Sequence, residues 1–343
     1  MSASAKGAAL SAKRDPKKLL ESVHDDLVRV DALFHRVLPS DSPHVSQLVD
    51  HAAKFRGKQL RPALVVLAGR ACGRADDSHI AIGAIVEMIH TATLLHDDVL
   101  DHATTRRNVA SINALHGNEI PILLGDFIYA QAYSLANTLA DRTAALELAA
   151  TTKRLCTGEI DQNCSRGRWD LTLAEYLRII EDKTASLYAT SCKLGAYYAG
   201  AAGRDPGAHA AAVIAMEEYG RLLGIAFQII DDCLDLAGDE KSVGKSLGTD
   251  LTDRKMTLPL IRLLGRVEPP LAAKIRQMLQ DGAIGDPRAA LRQLVDFTPD
   301  VASAAETANQ YVRDALMQIA PLPPSAAKQS LIEIAEFVLE RDR

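Results

Sequence analysis

The sequence predicts an all-α fold, and three observations support that prediction. Of the 343 residues, 48 % are hydrophobic but only 4 % are aromatic, and the abundant alanine and leucine are strong helix formers. No proline occurs between Pro62 and Pro121 or between Pro121 and Pro206, so long helices can run through both intervals. Sustained alternation of apolar and polar residues, which would indicate strands, is missing. We therefore expect one all-helical domain over residues 20–343, with core helices packed side by side.

The clearest helical pattern lies before the first acidic cluster of the chain. Ile82, Ile85, Val86 and Ile89 follow the i, i+3, i+4, i+7 spacing that places side chains on one buried helix face. Towards the C-terminus, proline pairs and turn residues predict several shorter helices. The expected breaks are Pro206-Gly207, Pro269-Pro270, Asp286-Pro287, Thr298-Pro299 and Pro323-Pro324.

The composition excludes several classes of function. The net charge of −5 argues against nucleic acid as a partner, because nucleic-acid-binding domains usually carry a basic face. No uncharged apolar run reaches the roughly 18 residues of a membrane span. The five cysteines form no C-x-x-C pair, which argues against a disulfide scaffold or a zinc site. A reducing, cytoplasmic location is therefore expected.

Residues 1–19 differ in composition from the rest of the chain. They are rich in alanine, serine and lysine and lack the apolar core of a secretory signal. We expect a disordered N-terminal extension. Because the segment is basic and nearly free of acidic residues, a transit peptide stays open as the alternative.

Two acidic clusters, DDVLD and DDCLD, are the main chemical signal. Residues i and i+4 share a helix face, so Asp97 lies beside Asp101 and Asp231 beside Asp235. Each like-charged pair costs a helix about 0.2–0.5 kcal/mol, and carboxylates at the edge of an apolar core need a partner. Mg²⁺ prefers such oxygen ligands and often shares them with substrate phosphates. One such cluster alone would fit a solvated acidic turn as well as a metal site. The occurrence of the same pattern twice, each time after an apolar helical stretch, favours a metal site.

Basic residues accompany these clusters. Arg106 and Arg107 follow the first one closely, and guanidinium groups match the geometry of phosphate oxygens. Six carboxylates carry six negative charges, which three Mg²⁺ ions would neutralise, so lysines and arginines would hold the charge of a bound diphosphate. Taken singly, each lysine is more readily a surface charge. The other members of this basic group are Lys58, Arg61, Lys183, Lys245 and Lys255.

Taken together, these segments resemble the trans-isoprenyl diphosphate synthase family, and in particular its octaprenyl diphosphate synthase type. The resemblance covers the chain from about Leu20 to its end. In chain order, the segments that carry it are GKQLRP, HTATLLHDDVLD, ATTRRN, LLGDFIYA, GEIDQ with Gln162, KTA, FQIIDDCLD and GKSLGTDL. It implies a helical bundle, usually homodimeric, around a central cavity in which isopentenyl diphosphate is joined to an allylic diphosphate with the help of Mg²⁺.

The resemblance also implies roles for individual residues. Asp97, Asp98, Asp101, Asp231 and Asp235 would hold about three Mg²⁺ ions, and Asp232 and Lys183 would complete the catalytic set. Isopentenyl diphosphate would be bound by Lys58, Arg61, His90 and Arg107. The allylic diphosphate would be bound by Arg106, Lys183, Thr184, Gln228, Lys245 and Lys255.

Two positions depart from the family pattern. Asn108 stands where a glycine usually follows the arginine pair, which is a minor change. Arg254 stands where a glycine usually precedes the lysine of the TLP segment. Its side chain is expected to crowd the loop that closes over diphosphate, which bears on the role of Lys255.

Product length is expected to depend on the helix that precedes the first acidic cluster. The growing chain would run along Ala92, Met88 and Ile85, and one isoprene unit would pass about three residues at roughly 1.5 Å per residue. Ala92 and Thr93 are small, whereas short-chain members of the family carry an aromatic plug at these positions. With Ala92, Thr93 and Met88 as the cavity floor, we expect a product of about C35–C50, with C40 favoured.

Several alternatives stay open. An aromatic plug from another helix, with Phe127 and Tyr133 as candidates, would give a shorter product of about C15–C20. A terpene cyclase shares the ionisation chemistry, but the second acidic cluster and the basic segments for isopentenyl diphosphate argue against it. A non-catalytic subunit of a heteromeric synthase would tend to lose the aspartates or the basic ligands, most of which this chain keeps. Arg254 is the one feature that favours this alternative. Transient membrane contact at product release is conceivable, although no amphipathic anchor is evident.

Overall fold

The computed structural model describes residues 19–55, 57–200, 205–238, 247–281 and 285–340, and these ranges are almost entirely helical. The helices are α1 His24–Val37, α2 Pro43–Ala53, α3 Leu60–Cys72, α4 Asp77–Leu100, α5 Ile112–His116, α6 Glu119–Ala136, α7 Thr143–Cys164, α8 Leu173–Ile180, α9 Ser186–Tyr198, α10 Pro206–Ala237, α11 Thr249–Thr252, α12 Leu258–Arg266, α13 Pro269–Asp281, α14 Pro287–Leu294, α15 Thr298–Ile319 and α16 Ala326–Glu340. A 3₁₀ turn covers Glu21–Val23, a π turn covers Glu181–Ala185, and strands β1 Thr105–Arg106 and β2 Val109–Ala110 form a hairpin. The all-α prediction is confirmed.

Most of the predicted N-terminal extension lies outside the described residues. Leu19 is described, and its side chain is buried in the core. The packed domain therefore includes at least this one residue of the segment that was expected to be an extension.

Helix α4 lies at the centre of one half of the fold, and its sequence explains its start. Asp76 caps the N-terminus, because its carboxylate accepts a hydrogen bond from the backbone N–H of Ser78 while its own N–H donates to Nδ1 of His79. The predicted apolar face is fully buried, as the exposures of Ile82, Ile85, Val86 and Ile89 show. By length and composition α4 could cross a membrane, but 72 % of that apolar stretch is buried inside the fold.

Two clusters of buried side chains share the core. One surrounds α10, which packs between α9 and α15. The other surrounds α4, which packs between α3 and α6, and the packing of α3 on α9 joins the two halves. The acidic clusters stand at the C-terminal ends of α4 and α10, so the helix packing decides where they meet.

Prolines begin helices in the C-terminal half rather than interrupt them. Pro206, Pro269 and Pro287 are the first residues of α10, α13 and α14, and Pro299 is the second residue of α15. Proline is favoured there because the first N–H groups of a helix have no partner within it. The predicted helix breaks are confirmed.

The hairpin contains the two short strands found within the described ranges. Its turn residues Arg107 and Asn108 have φ angles of 51° and 63°, as in the type I′ turn that suits two-residue hairpins. Asparagine tolerates this left-handed conformation, which explains how Asn108 replaces the usual glycine. Strands of two residues are too short to produce the alternating pattern that sequence reading relies on.

Candidate active site

The ends of α4 and α10 meet at a cavity of about 190 Å³ that opens to solvent. The two acidic clusters, far apart in the chain, therefore belong to one site. The wall contains both carboxylates and candidate phosphate-binding cations, which makes the cavity strongly polar. The lining residues are Asp101, Gln162, Ser165, Leu171, Tyr176, Ile179, Lys183, Gln228, Asp231, Asp232, Asp235, Thr249, Asp250, Lys255, Met256 and Thr257.

Neighbouring aspartates of the first cluster have different surroundings. Asp98 is buried, and its Oδ1 accepts a 2.8 Å hydrogen bond from Nε of Arg106. Its Oδ2 is also buried and has no hydrogen-bond partner in the part of the chain that the structure describes. Asp97 is partly exposed. Burial raises the pKa of Asp97 to about 6, with nearby carboxylates adding to the rise and Lys183 opposing it.

Asp101 holds two cations that come from distant parts of the chain. Its Oδ1 accepts hydrogen bonds from Nζ of Lys255 at 3.1 Å and from Nη2 of Arg166 at 2.9 Å. Lys255 is 9 % exposed and also lies 3.0 Å from Oδ2 of Asp253. Burial would lower the pKa of Lys255, but Asp250, Asp101 and Asp253 outweigh it and raise this pKa above its usual value. The lysine is therefore a fixed positive charge in the wall.

Asp235 supports the segment that follows α10. Its Oδ1 accepts a 2.9 Å hydrogen bond from the hydroxyl of Thr249, and its Oδ2 accepts a 3.0 Å bond from the backbone N–H of Asp250. Both donors lie in the first turn of α11, where N–H groups lack helical partners. Because both of its oxygens are engaged, Asp235 anchors α11 to α10. Asp231, one turn earlier, lines the same cavity.

Asp232 belongs to a chain of buried and partly buried hydrogen bonds. Its Oδ2 accepts a 2.6 Å bond from the hydroxyl of Tyr176, and its Oδ1 accepts a 2.8 Å bond from Nε2 of Gln228. The other end of the Gln228 amide, Oε1, accepts a 2.8 Å bond from the hydroxyl of Thr184. Burial raises the pKa of Asp232 to about 7. The chain fixes the orientation of Gln228 at the cavity wall.

Lys183 and Thr184 are carried by the π turn between α8 and α9. Nζ of Lys183 donates a 2.7 Å hydrogen bond to Oε1 of Gln162 and forms an ion pair with Glu159. Burial would lower the pKa of Lys183, but Asp97 and Glu159 raise it, so the side chain is a cation in the site. Turns of this kind occur frequently at functional sites.

The residues expected to bind isopentenyl diphosphate form a second basic group beside α4. The guanidinium of Arg107 packs directly on Gly57, where an added Cβ would lie 2.1 Å from it. The guanidinium carbon of Arg61 lies 4.5 Å from the ring centre of Tyr188. Burial, together with the positive charges of Arg61, Arg107 and Arg106, lowers the pKa of His90 well below its usual value. Lys58, which follows Gly57, has its ammonium 4.9 Å from the ring centre of Phe337 on α16.

The expected cavity floor is packed in this structure. Ala92, Met88 and Ile85 have no exposed surface, and they belong to the core cluster that α4 shares with α6. Thr93 is partly exposed, and its hydroxyl donates a 2.7 Å hydrogen bond to the carbonyl of His90. A long chain that runs along this face would have to displace side chains between α4 and α6.

Arg254 occupies a position that favours glycine. Its φ angle is 57°, and its N–H donates to the carbonyl of Leu251 at 3.1 Å while the N–H of Lys255 donates to the carbonyl of Asp250 at 2.8 Å. This is a Schellman motif at the end of α11, with Arg254 at the left-handed position. Its carbonyl also accepts a 2.9 Å bond from the N–H of Gly167.

Sequence reading missed several residues of the site. Arg166, Asp253 and Tyr176 contact predicted site residues but lie in no acidic or basic run, so the sequence carried no signal for them. Lys245, which was expected to bind the allylic diphosphate, lies outside the described residues. Within those residues, no three carboxylate, histidine or cysteine side chains converge into a ready-made metal cage.

Comparison with known proteins decides the family. The family model described as polyprenyl synthetase matches residues 42–295, which is most of the chain. The chain belongs to the polyprenyl synthetase family. As a member of the polyprenyl synthetase family, the protein is a prenyltransferase.

Individual relatives agree with the family over nearly the full chain. The chain is 32 % identical over 327 residues to "Octaprenyl diphosphate synthase" of Escherichia coli (strain K12), covering 95 % of this chain and 99 % of the relative. A solved polyprenyl synthase of Caulobacter crescentus CB15, complexed with calcium and isoprenyl diphosphate, matches at 31 % identity with a TM-score of 0.89, covering 97 % and 99 % of the two chains. A solved decaprenyl diphosphate synthase of Rhodobacter capsulatus matches at 30 % identity with a TM-score of 0.87, covering 96 % and 100 %.

Proposed function

We propose that the protein condenses isopentenyl diphosphate with an allylic diphosphate, head to tail and in the trans geometry, to make a long-chain polyprenyl diphosphate. The observation that carries this proposal is the single cavity in which Asp101 and Asp231, from the two acidic clusters, meet Lys183 and Lys255. Such a cavity offers oxygen ligands for a hard cation and positive charge for a leaving diphosphate.

The metal ligands best supported are Asp97, Asp101 and Asp231. Asp101 and Asp231 line the cavity. Burial, with nearby carboxylates adding to its effect, raises the pKa of Asp97, and a bound cation would favour the charged form of this carboxyl group. Asp98 and Asp235 are buried, unlike Asp97 and Asp101, and they are engaged with Arg106 and α11, so we propose supporting roles for them. About three Mg²⁺ ions would balance the six carboxylates of the two clusters, and the basic side chains would hold the charge of the diphosphate.

The basic side chains would bind and orient the allylic diphosphate. Lys183 and Lys255 are cations in the wall, and the hydroxyl of Thr184 is held beside Gln228. When bound, Mg²⁺ would supply Lewis-acid stabilisation of the departing diphosphate. This reaction needs no covalent nucleophile from the protein. Arg106 and, from sequence alone, Lys245 complete the proposed allylic group.

The second basic group would bind isopentenyl diphosphate beside α4. Arg61, Arg107 and Lys58 supply positive charge there, and His90 supplies a neutral ring at pH 7 because its pKa is lowered. The double bond of isopentenyl diphosphate would attack the allylic cation, after which a proton leaves to the released diphosphate. The apolar core next to the cavity would keep water, which would trap the cation, away from it.

A homodimer is the proposed assembly. The outer surfaces of α6 and α7 expose large apolar side chains, of which Leu146 is 69 % and Leu123 63 % exposed. Ile160 and Ile122 on the same two helices are also exposed. Large exposed apolar side chains on these two helices favour an interface with another chain. The proposed location is the cytoplasm, with transient membrane contact when the product leaves.

Product length is proposed to be about C35–C50, with C40 favoured. The octaprenyl and decaprenyl relatives, whose products differ by two isoprene units, support this range. A C15–C20 product and a subunit role in a heteromeric synthase are the alternatives. The packed floor at Ala92 and Met88 favours the shorter product unless the side chains rearrange.

The deciding test incubates purified protein with Mg²⁺, farnesyl diphosphate and labelled isopentenyl diphosphate, followed by chromatography of the dephosphorylated products. A ladder that ends near C40 supports the proposal. An end point at C15 or C20 keeps the reaction and rejects the product length. If the protein alone incorporated no isopentenyl diphosphate but became active when a second subunit was added, the heteromeric alternative would be favoured. Full turnover by both Asp97→Ala and Asp231→Ala would contradict the proposed reaction.

A further inference from the structure

The π turn Glu181–Ala185 lies between two glycines on neighbouring helices. A Cβ added at Gly158 of α7 would lie 2.4 Å from the backbone N of Lys183. A Cβ added at Gly224 of α10 would lie 2.5 Å from Cα of Ala185. Backbone approaches this close require glycine on both sides. The turn is therefore in direct contact with the two helices that carry Gln162 and Gln228.

Two arginines hold the turn from its outer side. Nε of Arg154 donates a 2.7 Å hydrogen bond to Oδ1 of Asp182, and its Nη2 donates a 3.1 Å bond to Oε1 of Glu181. Nη1 of Arg221 donates a 2.8 Å bond to the other oxygen of Glu181. Arg221 is itself fixed by two 2.7 Å bonds to Glu218 on its own helix. Glu181 thus links α7 to α10 across the turn.

These ion pairs lie directly beside Lys183 in the chain, so they can fix the direction in which its side chain points. Glu181 and Asp182 directly precede Lys183, so the outward ion pairs and the inward cation lie on consecutive residues. A slip of the turn by one residue would rotate Lys183 by about 100°, away from Gln162. Partly exposed ion pairs contribute little to stability. Their larger effect is to fix which residues of the turn face the cavity.

We propose that Arg154 and Arg221 are positioning residues that act through Glu181 and Asp182 to hold Lys183 and Thr184 at the cavity. This inference rests on the proposed role of Lys183 in binding the allylic diphosphate. The arginines touch neither substrate, and their contribution is the register of the π turn. Displacement of a binding group by about 1 Å can cost on the order of 100-fold in rate.

The test compares Arg154→Gln, Arg221→Gln and the isosteric Glu181→Gln with Lys183→Met. The matched control is Arg313→Gln, which breaks an exposed ion pair with Glu306 on α15. The measurements are kcat and KM for farnesyl diphosphate and for isopentenyl diphosphate, inhibition by inorganic diphosphate, and the melting temperature. Arg154→Lys tests for rescue, because a lysine can still pair with one carboxylate.

If the inference holds, Arg154→Gln, Arg221→Gln and Glu181→Gln each lose about 10- to 100-fold in kcat/KM for farnesyl diphosphate and bind inorganic diphosphate more weakly. Their KM for isopentenyl diphosphate and their melting temperature stay at the control values, and Arg154→Lys recovers part of the loss. The positioning role alone would be overturned if these three variants had the same kinetic constants and the same diphosphate inhibition as Arg313→Gln while Lys183→Met lost diphosphate binding. An unaffected Lys183→Met would remove the proposed role of Lys183 and the inference with it.

Discussion

The ammonium group of Lys255 donates a hydrogen bond to Oδ1 of Asp101 over 3.1 Å, although the two residues lie 154 positions apart in the chain. Arg166 donates to the same oxygen. These contacts tie the end of α4 to the loops before α8 and after α11. They also place two cations on an oxygen that we propose as a metal ligand, so binding of metal requires them to move or to turn towards the diphosphate.

Replacement of Lys255 by methionine should therefore change metal binding in a direction that depends on diphosphate. Without diphosphate, loss of a competing cation should tighten Mg²⁺ binding about two- to fivefold, as expected for an ion pair of ~0.4–1 kcal/mol. With inorganic diphosphate, binding should weaken, because Lys255 would hold the anion. Calorimetric titration measures both, with the exposed Lys274→Met as the control. Weaker binding of Mg²⁺ alone would contradict the competition.

The left-handed conformation of Arg254 predicts a stabilising substitution. Arg254→Gly should raise the free energy of unfolding by about 1 kcal/mol, because a side chain in this conformation costs roughly 1–2 kcal/mol. Arg254→Ala removes the same long side chain but keeps Cβ, so it should give no comparable gain. Urea denaturation of the three proteins measures the difference. Equal gains for both variants would assign the effect to the side chain rather than to the backbone.

Gly158 predicts a packing defect at the site. Gly158→Ala should lower the free energy of unfolding by about 1–3 kcal/mol, because the new methyl group overlaps the π turn, and it should reduce turnover by displacing Lys183. Gly265→Ala in α12 is the matched control, since an added Cβ there meets nothing within 4 Å. That change should be neutral or stabilising by about 0.4–1 kcal/mol. Similar denaturation curves for both variants would argue against the close approach.

The helices and the acidic clusters were predictable because both depend on local spacing. The i, i+4 rule correctly paired Asp97 with Asp101, and the proline positions marked where helices begin. The same geometry separates Asp98, since consecutive residues of a helix point about 100° apart. Treating the cluster as one unit therefore overlooked the pairing of Asp98 with Arg106.

The remaining contacts of the site could not be derived from the sequence. Arg166 reaches Asp101 across 65 positions, and Tyr176 reaches Asp232 across 56. Contacts over such distances depend on how helices pack, and no periodicity encodes them. The π turn at Lys183 was equally hidden, because a single i+5 turn leaves the apolar pattern of the flanking helices intact.

His90 predicts a pH dependence of stability. Burial and three nearby arginines lower its pKa in the folded protein well below the usual 6.5. A lowered pKa contributes stability above about pH 6.5, and this contribution is lost as the pH falls, because the unfolded chain takes up the proton first. His90→Gln should therefore lose less melting temperature than the wild type between about pH 7.5 and 5.5. The control is the variant of an exposed histidine, His44→Gln, whose melting temperature should change with pH as that of the wild type does. If His90→Gln also followed the wild type, the His90 ring would be charged in the folded wild-type protein, which would contradict the lowered pKa.

Ala92 predicts how the cavity sets product length. Ala92→Phe should shorten the longest product to about C15–C20, because the ring would block the path between α4 and α6 that a growing chain has to open. Ala308→Phe on α15 is the control, since Ala308 is also fully buried and the overpacking is comparable. Chromatography of the dephosphorylated products measures chain length, and melting curves measure the strain. If Ala92→Phe kept the product length of the wild type, the chain would not pass Ala92, and the partly exposed Tyr133 on α6 would become the residue to replace by alanine.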